Sequence, residues 1–137
     1  MNSINFWPIL VSSIAAFALG ALWYSPVLFG KEWMTLIKMT DADMKAAQAR
    51  GVWKFYVAQF AITIVMFIVL SFVISFTQSL GAADGAFLAF ILWLGFIVTV
   101  TLNRVIWSNV PFKLALIESV YNLITLAIGG AIIGAWR

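Results

Sequence analysis

Residues 55–83 read FYVAQFAITIVMFIVLSFVISFTQSLGAA, twenty-nine consecutive residues without a charge. Residues 1–30 and 85–103 likewise carry none, and residues 114–136 carry only Glu118. A helix crosses a hydrocarbon layer about 30 Å thick with about 20 apolar residues. The pattern therefore predicts an all-α integral membrane four-helix bundle in one domain, with spans near residues 4–24, 53–80, 85–106 and 111–136. Composition agrees: 64% of the 137 residues are hydrophobic and 9% charged, with a mean hydropathy of +1.06. Soluble domains are closer to half apolar and a quarter charged.

The chain has no Cys and no His. That inventory removes disulfides, thiolate and imidazole ligands for metals, and the usual nucleophile–base pairs. No cofactor and no metal site is expected, and the predicted activity is non-enzymatic. Glu118 and Tyr121 would be the one acid–base pair open to an enzyme, with no nucleophile beside them.

The first span follows a polar start at Asn2, Ser3 and Asn5, and holds Pro8 in its first turns, where a missing N–H costs least. Residues 1–30 contain no Lys or Arg, so the segment lacks the cationic leader of a cleaved signal and is read as retained. Ser25-Pro26 ends it, because the residue before a proline is pushed out of the α region.

Residues 25–52 are the hydrophilic stretch, and they predict an amphipathic hairpin of two short helices at the membrane surface. Trp33, Leu36 and Ile37 share one face, while Lys31, Glu32, Thr35 and Lys38 point elsewhere. Thr40 caps the second helix with Asp41 and Asp43 near its positive end, and Gly51 separates it from the next span. Gly81 is expected to stop the second span, Asp84 to cap the third, and Asn109 with Pro111 to start the fourth.

Charge also orients the spans. Lys31, Lys38, Lys45, Arg50 and Lys54 fall in or beside the first connection and Arg104 and Lys113 in the third, seven cations against Arg137 alone on the other side. The positive-inside rule puts those two connections in the cytoplasm and both termini outside. Trp7 and Trp136 then mark the outer interface, Trp23, Tyr24, Trp53, Tyr56 and Trp107 the inner one, and Trp93 falls at mid-depth. The five cations of the first connection exceed Glu32, Asp41 and Asp43 by two, a balance suited to anionic headgroups. Nucleic acid is not an expected partner, since topology already accounts for the cations.

The run Trp23-Tyr24-Ser25-Pro26-Val27-Leu28-Phe29-Gly30-Lys31-Glu32-Trp33 resembles the opening of a family of small bacterial membrane proteins known only as a domain of unknown function. Its members share a W-Y-S-P-x-x-F-G-x-x-W type run after the first helix. Tyr121 and the ending Gly130-Ala131-Ile132-Ile133-Gly134-Ala135-Trp136 are similar to that family's last helix. The resemblance implies about four membrane helices, a bacterial inner (cytoplasmic) membrane, and no established activity. It also implies a neutral polar residue such as Asn where this chain has Glu118. Read on its own, the motif has a membrane-boundary role. Gly20 permits close helix approach, Trp23 and Tyr24 anchor at the interface, Ser25-Pro26 breaks the helix, and Phe29 with Gly30 turns the chain flat along the surface.

Within the spans, Glu118, Asn122, Thr125 and Gly129 recur at i, i+4, i+7 and i+11, with Tyr121 beside them. A carboxylate and an amide on an apolar helix must face protein or water. In one reading Arg104 pairs with Glu118 and ties the third helix to the fourth, with Asn103 or Asn122 completing the hydrogen bonds. In the other the stripe lines a proton or cation path in a small oligomeric channel or transporter. Gln59 with Thr63, and Ser71, Ser75 and Gln78, are expected to bond between helices. Ser12, Ala16 and Gly20, and Gly130 with Gly134, form small-xxx-small faces that serve within the bundle or between copies. The resulting expectation is a homo-oligomeric structural or interaction component, with the lipid bilayer, its own copies and other membrane proteins as partners.

Overall fold

The computed structural model describes residues 4–137. The polar start at Asn2 and Ser3 lies outside the described residues. Regular structure is helical: α1 (Phe6–Trp23), α2 (Gly30–Leu36), α3 (Asp41–Ala49), α4 (Trp53–Phe76), α5 (Ala82–Leu92), a π-helical stretch (Trp93–Val98), α6 (Thr99–Trp107) and α7 (Phe112–Ala135). From α5 through the π stretch to α6 the chain is one rod. Among the described residues four helices are thus long and apolar enough to cross a membrane: Phe6–Trp23, Trp53–Phe76, Ala82–Trp107 and Phe112–Ala135.

Local chemistry sets the boundaries. Asn5 caps α1 by accepting from the Trp7 N–H at 3.1 Å. Thr40 and Asp43 open α3 with a capping box, the Asp43 N–H donating to Thr40 Oγ1 at 3.1 Å and the Thr40 N–H to Asp43 Oδ2 at 3.0 Å. Gly51, at φ 89°, makes the break before α4.

Two expected boundaries move. The second long helix stops at Phe76, short of residue 80. There Gln78 adopts φ 54°, and the N–H groups of Gln78 and Ser79 turn back to the carbonyls of Ser75 and Ile74. This is a Schellman closure, which satisfies the last carbonyls without needing glycine's freedom at Gly81. Gly81 instead heads the next helix at φ 96°, and Asp84, expected as its cap, sits in the first turn and accepts the Leu80 N–H at 3.3 Å.

Helix α7 is the axis of the fold. Its contact with α5 is the most extensive in the chain and that with α1 comes next, while α4 leans mainly on α1. Along the most apolar stretch of each, 39% of α7 is buried but only 11% of the Ala82–Trp107 rod. The rod therefore flanks α7 and leaves most of its circumference exposed. Ile9, Ala16, Phe67, Leu70, Ile74, Ala89, Leu126 and Ile133 make the core between these helices.

The α5–α7 contact is backbone against backbone. The Gly81 N–H donates to the Gly134 carbonyl at 3.1 Å. A Cβ on Gly85 or Gly130 would run into the other's carbonyl, and one on Gly134 into that of Gly81. Elsewhere glycine makes room for an aromatic ring: Phe67 of α4 fills the space of a Gly129 side chain, and Tyr121 of α7 that of a Gly20 side chain. Ser12 and Ala16 are buried as well. The small-residue faces are consumed inside one chain, and Gly20 receives a ring where close backbone approach was expected.

Of the residues expected to bond between helices, Gln59 and Thr63 bond within their own, and buried Ser13 of α1 does the same. Thr63 Oγ1 donates to the Gln59 carbonyl at 2.8 Å, and Ser13 Oγ to that of Ile9 at 2.8 Å. The cross-helix bonds have other owners, among them Arg137, whose guanidinium reaches the Ile74 carbonyl of α4 at 2.9 Å.

Replacing Gly130 by Ala should cost about 2 kcal/mol or more by overpacking. Gly95→Ala, where nothing lies within 4 Å of the added methyl, should be neutral or stabilising by up to about 1 kcal/mol through helix propensity. Denaturant titration of the two variants checks the contrast.

The Thr40 backbone N–H, with the Thr40 hydroxyl beside it, holds the Asp43 carboxyl below its ordinary pKa. A carboxyl lowered on folding stabilises α3 above the ordinary carboxylate pKa of about 4, and that contribution disappears as the pH falls through the folded value. Protection factors for amide exchange in α3, taken relative to the intrinsic rate at each pH, should fall in that acid window, and Asp43→Asn should remove that fall.

Candidate functional site

Where α1 ends the chain reverses within a few residues. Ser25 Oγ donates to the Leu22 carbonyl at 2.6 Å. The Phe29 N–H reaches the Trp23 carbonyl at 3.0 Å, and the Gly30 N–H that of Ser25 at 2.9 Å. Gly30 is buried against this turn, and a Cβ there would strike the carbonyls of Tyr24 and Ser25. Pro26 fits a bend that has already left the helix.

The reversal folds the motif's aromatics onto one another and onto α7. Phe29 lies against Trp23 with ring centroids 4.6 Å apart, and Trp33 against Tyr24 at 5.3 Å. Tyr24 and Trp23 both meet Tyr121, at 5.3 and 6.3 Å. Tyr121 in turn donates its hydroxyl to the Ala16 carbonyl of α1 at 3.3 Å. Trp23 and Tyr24, expected as interface anchors, are therefore turned inward, and the Trp23 indole N–H is buried without a partner. Two rings with a ready receptor gain more from edge and face contacts than from an open boundary. Lys113 at the start of α7 adds an exposed ion pair to Glu32 of α2 at 3.0 Å.

One helical turn from Tyr121 toward the start of α7, Glu118 Oε2 meets Arg104 Nη1 of α6 at 3.2 Å. Both side chains keep some exposure, 25% for Glu118 and 48% for Arg104. Among the described residues no hydrogen bond joins Asn103 or Asn122 to this pair. Of the remaining stripe, Thr125 and Gly129 are buried and Asn122 is half-buried. Gly129 at one end of the stripe packs against Phe67 of α4, while Glu118 at the other end meets α6.

Sequence reasoning gave Trp93 a depth but no role. Its indole N–H donates to the Ser119 carbonyl of α7 at 2.8 Å, where the π-helical stretch begins. The available signal was a tryptophan far from both interface belts, since a buried indole needs a hydrogen-bond acceptor.

A motif-built turn locked onto the last long helix spans the chain from end to end, and the family model does likewise, matching residues 7–134. The chain belongs to the family described as protein of unknown function, DUF1761. No curated protein and no solved structure matches it. Membership in DUF1761 carries no activity with it.

A double-mutant cycle should separate the two ion pairs. Arg104→Ala and Glu118→Ala should show a coupling of roughly 1 kcal/mol, in the range of polar contacts between apolar helices. The exposed Lys113–Glu32 pair should couple at the low end of about 0–1 kcal/mol. Unfolding free energies of the single and double variants measure both.

Proposed function

We propose that this chain is a non-enzymatic protein of the bacterial inner membrane, crossing the bilayer through α1, α4, the α5–α6 rod and α7. The α2–α3 segment and the α6–α7 turn lie in the cytoplasm, and both ends lie outside. The observation that carries this reading is the sorting of charge along the rods. Lys31, Lys38, Lys45, Arg50, Lys54, Arg104 and Lys113 gather at the end holding α2 and α3, with Arg137 at the opposite end. Only one orientation of such a set obeys the positive-inside rule. In α2, Trp33, Leu36 and Ile37 are half-buried while Lys31, Glu32, Thr35 and Lys38 are exposed, as suits a helix lying among headgroups.

Its role is that of a structural or interaction component, associating with its own copies or with other membrane proteins. Support comes from the rod Ala82–Trp107, whose most apolar stretch is only 11% buried and which engages chiefly α7. A spanning helix with one partner offers the rest of its perimeter to neighbours. The small-residue faces no longer contribute to this argument, because the chain uses them itself. An oligomeric pore along the Glu118 stripe is the weaker reading: Arg104 already pairs with Glu118, Thr125 is buried within one chain, and Gly129 packs against Phe67 of α4.

The chain has no native Cys, so single cysteines report cleanly. An impermeant maleimide applied to intact cells should label Ala83→Cys at once and Lys45→Cys only after permeabilisation; the opposite pattern would refute the orientation. Counting copies in lipid nanodiscs should give more than one, and a strict single copy at all loadings would refute self-association.

A further inference from the structure

Four buried hydroxyls, those of Ser12 and Ser13 on α1, Thr63 on α4 and Thr125 on α7, occupy one layer of the fold. The registers that place them are independent. Helix α1 runs antiparallel to α7, with Ala16 beside Tyr121, so Ser12 and Thr125, each one turn further toward the same end, come level. Helix α4 runs parallel to α7, with Phe67 on Gly129 and Ile74 near Arg137, so Thr63 and Thr125, each one turn earlier, also come level. Phe17 stacks edge-on to both Tyr56 and Phe60, which sets Ser12 and Ser13 about a turn beyond Phe60, at the height of Thr63.

Among the described residues, two of the four have no partner. Ser12 Oγ and Thr125 Oγ1 are buried without a hydrogen bond, at 0% and 3% residue exposure. Most serines and threonines in apolar helices give the proton to their own preceding turn, as Ser13 and Thr63 do here. An unsatisfied hydroxyl in such surroundings costs about 1–3 kcal/mol. Two at one level point to a shared occupant that makes the missing bonds.

The fold provides an approach from one end only. Toward the outer end, Phe67 closes on Gly129 and the four glycines bring α5 against α7. Toward the end holding α2 and α3, α4 and α6 make no extensive contact among the described residues. There Gln59, on the same α4 stripe as buried Thr63 and Phe67, is exposed, and Asn122 on the facing stripe is half-buried. The core-facing stripe of α4 thus becomes accessible as it descends.

We infer that water enters between Gln59 and Asn122 and is held at the Ser12–Thr63–Thr125 layer, making a polar crevice that is open toward α2 and α3 and dead-ends near the middle of the fold. Water fits because the layer offers hydroxyls and no charge, and a buried water typically makes about three hydrogen bonds. The Arg104–Glu118 pair stands beside the mouth, where water solvates what the ion pair leaves unsatisfied. The crevice rests on the membrane reading for the side from which water enters and for the lipid around Val65, and the Ala83 and Lys45 labels test that reading separately.

Full-length single-cysteine variants at Gln59, Asn122, Thr125 and Ser12 are compared with Val65→Cys, whose position on α4 is near the same level but exposed on the outer surface. The probe is silver ion applied to vesicles from the α2–α3 side, read as loss of later maleimide labelling in detergent. Reaction needs a thiolate, which forms in water, so the four crevice positions should react at least roughly tenfold faster than Val65→Cys. Thr125→Val supplies a second reading that does not need the deep cysteines to fold. In a hydrated layer the isosteric methyl removes a partner of the bound water and lowers the melting temperature. Thr125→Cys and Ser12→Cys reacting no faster than Val65→Cys, or Thr125→Val raising the melting temperature as removal of a dry orphan hydroxyl would, overturns the inference.

Discussion

Close approach of α5 to α7 at four glycines is the contact on which the arrangement depends. Helices this apolar gain little by exchanging one greasy neighbour for another, so shape rather than dehydration chooses partners. Gly81, Gly85, Gly130 and Gly134 allow a backbone hydrogen bond between two helices, and the same absence of side chains seats Phe67 at Gly129 and Tyr121 at Gly20. Three helices are thereby keyed to α7. The keys are steric, which makes them specific: each notch fits one ring or one backbone.

This keying explains why the conspicuous motif matters to the whole molecule. Ser25, Pro26, Phe29 and Gly30 make a reversal that has meaning only if something receives the aromatics it presents. Tyr121, standing on α7 and bonded to α1, is that receiver. The Glu32–Lys113 pair then adds a charged contact between α2 and α7 at the surface. Arg104 and Glu118 repeat the arrangement for α6, so that two charged contacts and one aromatic cluster fasten three segments to the first three turns of one helix.

The rod from Ala82 to Trp107 is the least embedded of the four long helices, and its midpoint departs from α geometry. The π-helical stretch places the Trp93 indole on the Ser119 carbonyl, a second tie between rod and axis below the glycine crossing. Such stretches recur where a helix must present a particular group. Below it, α6 makes no extensive contact with α4 among the described residues, and Gln59 is exposed.

Charge-free runs and cation placement make the four long helices legible in the sequence alone, because length and hydropathy are local properties of the chain. The capping box at Thr40, the bend at Ser25-Pro26 and the Arg104–Glu118 pair are legible too, since each depends on short spacings or on two helices sharing a turn. Two boundaries are not: a Schellman closure forms at Gln78, four residues after Ile74, and leaves Gly81 free to begin α5. Packing partners are equally hidden. Ser12-x-x-x-Ala16-x-x-x-Gly20 and Gly130-x-x-x-Gly134 announce close contact but cannot say with what, because a notch records its own size and not its occupant. Only the folded chain assigns Tyr121, Phe67 and the α5 backbone to those notches, turns Trp23 and Tyr24 inward, and sets Ser12 level with Thr125, since each of these is a relation between residues far apart in sequence.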